Sequence, residues 1–293
     1  MQKGSCIIFP LLCFLYAHAA AASPDSRVKI SHYARSLQPG EVVLLTVESR
    51  KPLQDAGAAL FGKTFPLYPG PNARVWQGLI GIDPEARPGR HTVRLRGKCL
   101  DGTPILGDDV LEIRSKTFPT RRLTVDEQYV TPSKEMEERI RRESRRVEDI
   151  FAQVTPRRIW KDHFSAPVHA PATSSFGRRT ILNGKPRSPH WGTDFTADVG
   201  TPICAPNSGR ILLAADLYFS GNTVIIDHGL GLYSFLAHMS QIAVREGDVV
   251  EAGALIGKVG ATGRVTGPHL HWTVRLVGVR VDPLSLIAVL AGK

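Results

Sequence analysis

Cysteine is scarce in this sequence. Four occur among 293 residues, and two of them, Cys6 and Cys13, lie in the apolar run at the start of the chain. The other two, Cys99 and Cys204, allow at most one disulfide, and nothing in the sequence brings them together, so both read as free thiols. Aromatic residues are also few, at 7%, against 27 Gly and 21 Pro, which favours turn-rich β structure over helical bundles. Long apolar runs are missing too. The stretch from Cys6 to Tyr16 is too short to span a membrane comfortably, and no stop-transfer pattern follows it. Lys3 ahead of it and the small residues of Ala17-His18-Ala19 and Ala20-Ala21-Ala22 behind it predict a secretory signal peptide over residues 1–22, cleaved after Ala19 or Ala22, with no stable membrane span afterwards. Leu12, ahead of Cys13, is not the small residue a lipid-attachment site requires.

Acidic residues are outnumbered, 27 against 37 Lys and Arg, for a formal charge of +10, of which the signal segment carries only Lys3. An exported basic chain is expected to meet anionic polymers of the cell envelope. The basic residues are spread out and not interleaved with aromatics, so no nucleic-acid partner is expected.

The length predicts two domains with connecting segments. From 26 to 118 the chain alternates in short apolar runs such as EVVLLTVES, WQGLIGI and HTVRLRG, each bounded by Pro, Gly or Asp, at the spacing of an antiparallel β-sandwich. No chemistry is visible there; His32 and His91 read as surface or packing residues. Residues 119–164 form a connector with an amphipathic helix, capped by Thr131 with Pro132 at its first position, whose stripe of Met136, Ile140, Val147, Phe151 and Val154 docks on a domain. From 165 to 288 the text returns to short strands between glycine turns, so the chain as a whole is all-β.

That last segment holds the chemistry. RSPHWGTDF supplies His190 and Asp194, and GATGRVTGPHLHW supplies His269 and His271. On extended chain, positions i and i+4 share a face, as do i and i+2, so two strands can converge an imidazole, a carboxylate and a further imidazole on one point. Nitrogen and oxygen ligands without thiolates fit a catalytic zinc site of three protein ligands with the fourth position open. His238, in LYSFLAHMS, would alone read as a core histidine. Beside the other four it is a candidate to take a proton or to stabilise an oxyanion. His228, in the turn-like DHG, reads as a loop-orienting residue, and His163 and His169 as loop residues.

In this order SPHWGTDF, GNTVIIDHGLGLYSFLAHMS, GDVVEAGALIGKVGATG and TGPHLHW resemble the lysostaphin-type (LytM-like) zinc endopeptidases of bacterial cell walls, over roughly residues 165 to 285. The preceding segment, with WQGLIGIDPEARPGRHTVRL, is similar to the N-terminal β-domain of some members. The resemblance implies a duplicated-hybrid-motif-like antiparallel β-sheet module with an open groove, binding one zinc ion per chain. It makes His190, Asp194 and His271 the metal ligands, and His238 and His269 the catalytic pair, one as base and one as oxyanion partner, without saying which. Peptidoglycan peptides would be the substrate, in the periplasm rather than outside the cell. One departure is Leu236, where many relatives carry a tyrosine two residues before the catalytic histidine.

Gly260, Gly263 and Gly267 are expected to give the groove its backbone freedom. Two other readings compete. A biotinyl- or phosphotransferase-like carrier would need a lysine at a hairpin tip, whereas Lys258 falls inside a predicted strand. A catalytically silent wall-binding or amidase-activating module would be expected to have lost ligands, and all five residues are present.

Overall fold

The computed structural model describes residues 28–124, 133–173 and 175–291. The segment read as a signal peptide, and Thr131 and Pro132, lie outside the described residues. The chain is predominantly β-structure, as expected.

The N-terminal part is a sandwich of two four-stranded antiparallel sheets. One runs in the order Val28–Ala34, Val42–Ser49, Val75–Gly81, Tyr68–Pro69; the other runs Lys63–Pro66, Leu53–Leu60, Gly89–Cys99, Pro104–Ile113. Alternation drives this packing: in Gly89–Cys99, Val93 and Leu95 are buried while Arg94 and Arg96 face water. Cys99 is buried here, Cys204 lies in a strand of the C-terminal sheet, and both thiols are free.

The C-terminal part is built on a 10-stranded sheet. Its centre is Gly221–Gly229 paired with Leu232–Ile242, which pairs in turn with Leu270–Leu276 and, further along, with Leu255–Val259. Lys258 does fall within the last of these strands. A separate three-stranded sheet sets Lys185–His190 against Arg178–Leu182, which runs parallel to Thr120–Leu123. Among the described residues that parallel pair is the exception to otherwise antiparallel pairing, and it ties the chain just beyond the sandwich to the hairpin that ends at His190.

The connecting helix spans Lys134–Ala152. Its N-cap is Ser133, whose Oγ accepts from the Met136 amide at 3.4 Å, two residues later than the predicted cap. Ile150 and Phe151 are buried against Leu213, Leu217, Ile225 and Tyr233, so the helix docks on the C-terminal sheet by one face. Val154 lies past the helix end and is 44% exposed, outside the docked stripe.

A second helix, Pro283–Ala291, was not expected. Asp282 starts it by accepting from the Leu284 amide at 3.0 Å. The same residue joins the two halves: its other carboxylate oxygen accepts from Arg35 at 2.7 Å, and its amide donates to the carbonyl of Gly40 at 2.7 Å. Ser285 Oγ accepts from the amide of Val42 at 2.9 Å. Gly81 lies so close to Val281 that a Cβ on it would stand 2.9 Å from a valine methyl.

Candidate metal centre

Asp194 lies on the short strand Thr193–Phe195, directly opposite His271 on Leu270–Leu276. Thr193 and Phe195 are buried on the other face, so the alternation that fills the core aims Asp194 away from it. His190 arrives differently from the expected single strand. It ends the strand Lys185–His190, in the three-stranded sheet, and a step through Trp191 and Gly192 carries the chain to Thr193 in the large sheet. The i,i+4 spacing thus joins two sheets rather than two positions on one strand.

The two imidazoles meet on one oxygen. Asp194 Oδ1 is 3.0 Å from His190 Nε2 and 2.9 Å from His271 Nδ1. Each ring is oriented through its other nitrogen: His190 Nδ1 lies 3.2 Å from the Ser175 carbonyl and 3.0 Å from Ser175 Oγ, and His271 Nε2 lies 2.9 Å from Thr273 Oγ1. One ligand atom from each of His190, Asp194 and His271 lies within 4.8 Å of the others. Two imidazole nitrogens and a carboxylate oxygen, with outer hydrogen bonds fixing the rings, are a donor set that fits zinc.

His238 and His269 stand beside this group. Their ring centroids are 4.9 Å apart, and His269 Nε2 is 4.0 Å from Asp194 Oδ1. Both rings turn Nδ1 to a backbone carbonyl: His238 to Thr262 at 2.9 Å and His269 to Gly267 at 2.9 Å. A carbonyl only accepts, so Nδ1 carries the hydrogen in both, and in the neutral form of either ring Nε2 presents a lone pair. His238 has φ of 67°, a left-handed conformation that a non-glycine residue rarely takes, and its amide donates to the Ser220 carbonyl at 2.9 Å. Asp194, His190, His269 and His271 keep between 16% and 21% of their side chains exposed, so solvent reaches all four.

Burial favours the neutral form of His238 and His271, and Asp194 is held ionised beside them. Burial opposes the charge on Asp194, but hydrogen bonds from His190 and His271, and their attraction, outweigh it and hold the carboxyl well below the usual range. Burial pushes His271 down, against its bond to Asp194. Burial pushes His238 down to about 4, with the Thr262 carbonyl opposing and the neighbouring His271 and His269 adding to the shift.

All five residues singled out in the sequence come together here. His228 does not: it is fully buried away from the group, with Nδ1 on the Ser208 carbonyl at 2.8 Å and Nε2 against Ser234 Oγ at 2.9 Å. Leu236 is buried in the core. Among the three glycines expected to matter, Gly263 has φ of 76° and a Cβ on Gly260 would stand 2.2 Å from the Ser240 amide, whereas Gly267 has open space around it and no such need. Ser175 and Thr262 were not foreseen, because their roles depend on contacts 15 and 24 residues away. Gly192 was not foreseen either, although a glycine between His190 and Asp194 is a signal the sequence carries.

The region that holds these residues is similar to known peptidases. The model of "Peptidase family M23" matches residues 188–283. The peptidoglycan DD-endopeptidase ShyA of Vibrio cholerae is 39% identical over 98 residues, which is 33% of this chain and 23% of that protein. The DD-carboxypeptidase/endopeptidase Mpg of Neisseria meningitidis is 42% identical over 97 residues, 33% of this chain and 22% of that protein. The match therefore spans less than a quarter of these relatives' own length. A crystal structure from Pseudomonas aeruginosa, of a protein assigned to the M23 peptidases, aligns over 87% of this chain and 96% of that one, at 31% identity with a TM-score of 0.68.

Proposed function

Since the chain belongs to peptidase family M23, we propose that it is an exported zinc metalloendopeptidase that hydrolyses peptide cross-links of bacterial peptidoglycan. The observation that carries this reading is the convergence of His190 Nε2 and His271 Nδ1 on Asp194 Oδ1, with His238 and His269 alongside. His190, Asp194 and His271 would hold one zinc ion. Zinc bound there would supply Lewis acidity, polarising the scissile carbonyl and making water nucleophilic near neutral pH.

The chain's own residues do the rest. The lone pair on Nε2 of one of His238 and His269 takes a proton from the attacking water, and the ring so charged becomes a donor. The other member enters the cycle already protonated at Nε2 by solvent and keeps that proton while it donates to the oxyanion, and the proton removed from water passes from the first ring to the leaving amine nitrogen. His238, kept neutral by burial, enters the cycle able to accept. Export is supported by the signal-like leading segment, and the excess of Lys and Arg suits the anionic polymers of the envelope. No described helix is long and apolar enough to cross a membrane. We also propose the division of the chain into a signal segment (1–22), a sandwich (26–118), a connector (119–164) and a peptidase domain (165–288).

The test is to incubate purified residues 23–293 with isolated peptidoglycan, with and without chelator, beside His269→Ala, and to analyse released fragments by mass spectrometry. New amino termini that require both metal and His269 are expected. Zinc-loaded, folded protein that releases nothing would leave the silent wall-binding or amidase-activating role in its place.

A further inference from the structure

Two loops meet behind His238. One, at Phe219–Gly221, gives the Ser220 carbonyl to the His238 amide; the other, at Gly260–Arg264, gives the Thr262 carbonyl to the His238 ring. They are stitched together. The Arg264 amide donates to the Phe219 carbonyl at 2.9 Å, and the Asn222 amide donates to Thr262 Oγ1 at 3.0 Å. Gly221 and Gly263 both have positive φ, 59° and 76°, and a Cβ on either would collide with the other loop's backbone.

On this platform the Arg264 guanidinium stacks over the Phe219 ring, 4.4 Å from its centroid, and Phe219 is braced edge-on by Tyr218 at 4.9 Å. The arginine remains exposed, and among the described residues no carboxylate pairs with it, whereas Arg35, Arg139 and Arg146 each have one. Burial, then the charge of Arg187, pushes Arg264 below its ordinary value. Arg187 lies on the strand that ends at His190, so Arg264 feels the strand that carries a candidate ligand.

We propose that Arg264, stacked on Phe219, anchors a carboxylate of the substrate peptide and makes the site select acidic peptides over neutral ones. The proposal rests on the peptidase reading above. A planar guanidinium held by stacking meets a carboxylate with two parallel hydrogen bonds and little loss of side-chain freedom. Phe219 and Arg264 are each within two residues of a carbonyl that binds His238, so a peptide held there has its register fixed relative to the catalytic pair.

The experiment uses the full exported chain and two substrates: cross-linked stem-peptide dimers released from peptidoglycan by glycan digestion, and the same dimers with their carboxylates amidated by carbodiimide and ammonia. The wild type is expected to show a KM lower by about tenfold for the acidic dimers, with similar kcat. Arg264→Gln should raise KM for the acidic dimers by that factor and leave the amidated ones unchanged, while Arg264→Lys recovers part of the preference; zinc content and Tm check the fold. Equal KM for both dimers in the wild type, or an equal loss on both in Arg264→Gln, overturns the anchor alone. Should Arg264→Gln not fold, the wild-type comparison decides. Cleavage of neither dimer by zinc-loaded wild type overturns the hydrolase reading and the anchor with it.

Discussion

A methyl group on Gly192 would stand 2.6 Å from Cε1 of His271 and 2.6 Å from the carbonyl oxygen of Trp272. The step between His190 and Asp194 therefore owes its close approach to the absence of a side chain. Gly192→Ala is expected to push the His271 ring off Asp194 and to lower zinc affinity by about ten- to a hundredfold, as losses of ring orientation do. Competition with a chromophoric chelator measures it; unchanged affinity would mean that the ring is positioned by Thr273 alone.

The left-handed backbone at His238 gives a second prediction. Holding an L-residue at φ of 67° costs about 1–2 kcal/mol, a cost glycine does not bear. His238→Gly and His238→Ala should both lose activity, yet the glycine variant should be the more stable by about 1 kcal/mol in urea unfolding. An alanine variant of equal or greater stability would show that the loop relaxes when the imidazole is gone.

Metal removal separates site from fold. The buried cores use none of His190, Asp194 or His271, so chelation should leave a folded protein. Zinc at about a hundred times its dissociation constant should add about 2.7 kcal/mol to the stability of the wild type. Asp194→Ala removes the oxygen on which both rings converge, and its thermal transition should become insensitive to zinc. A zinc-dependent Tm that persisted in Asp194→Ala would place the ion elsewhere.

The strands were legible because alternation is a property of neighbouring residues: Leu270–Leu276 reads buried and half-buried by turns in the sequence and in the fold. The Pro283–Ala291 helix escaped because Leu284, Leu286, Ile287, Val289 and Leu290 form an almost continuous apolar run with no polar face to set a period of 3.6; Asp282 before Pro283 was its one start signal. The helix cap slipped from Thr131 to Ser133 because several residues there are able to cap. At the site, residue types and spacing pointed to the five groups. They carried no information about what holds them: the Thr262 carbonyl that fixes the His238 ring comes from another loop, and His190 reaches Asp194 by changing sheets.

His228 links the core to pH. Its Nδ1–H donates to the Ser208 carbonyl, its Nε2 accepts from the Ser234 hydroxyl, and the same hydroxyl oxygen accepts from the Trp272 indole at 3.1 Å. Burial pushes this imidazole down to about 4, with the Ser208 bond opposing. In the unfolded chain it titrates near 6.5, so between about pH 6.5 and about pH 4 the unfolded state binds the extra proton and folding weakens as pH falls. The full loss is about 3 kcal/mol, reached below about pH 4. A proton on Nε2 would also reverse the bond to Ser234, whose oxygen would then accept from both His228 and Trp272 while its own hydrogen lost its acceptor. His228→Gln lacks the titration, so it should be less stable than the wild type at about pH 7.5, and the gap should narrow towards pH 4. Urea unfolding of both proteins in chelator measures that gap, in which the other histidines cancel. A gap that stayed constant across the window would mean that His228 titrates alike in the folded and unfolded chains, and the pH dependence would have to arise at the His238 cluster instead.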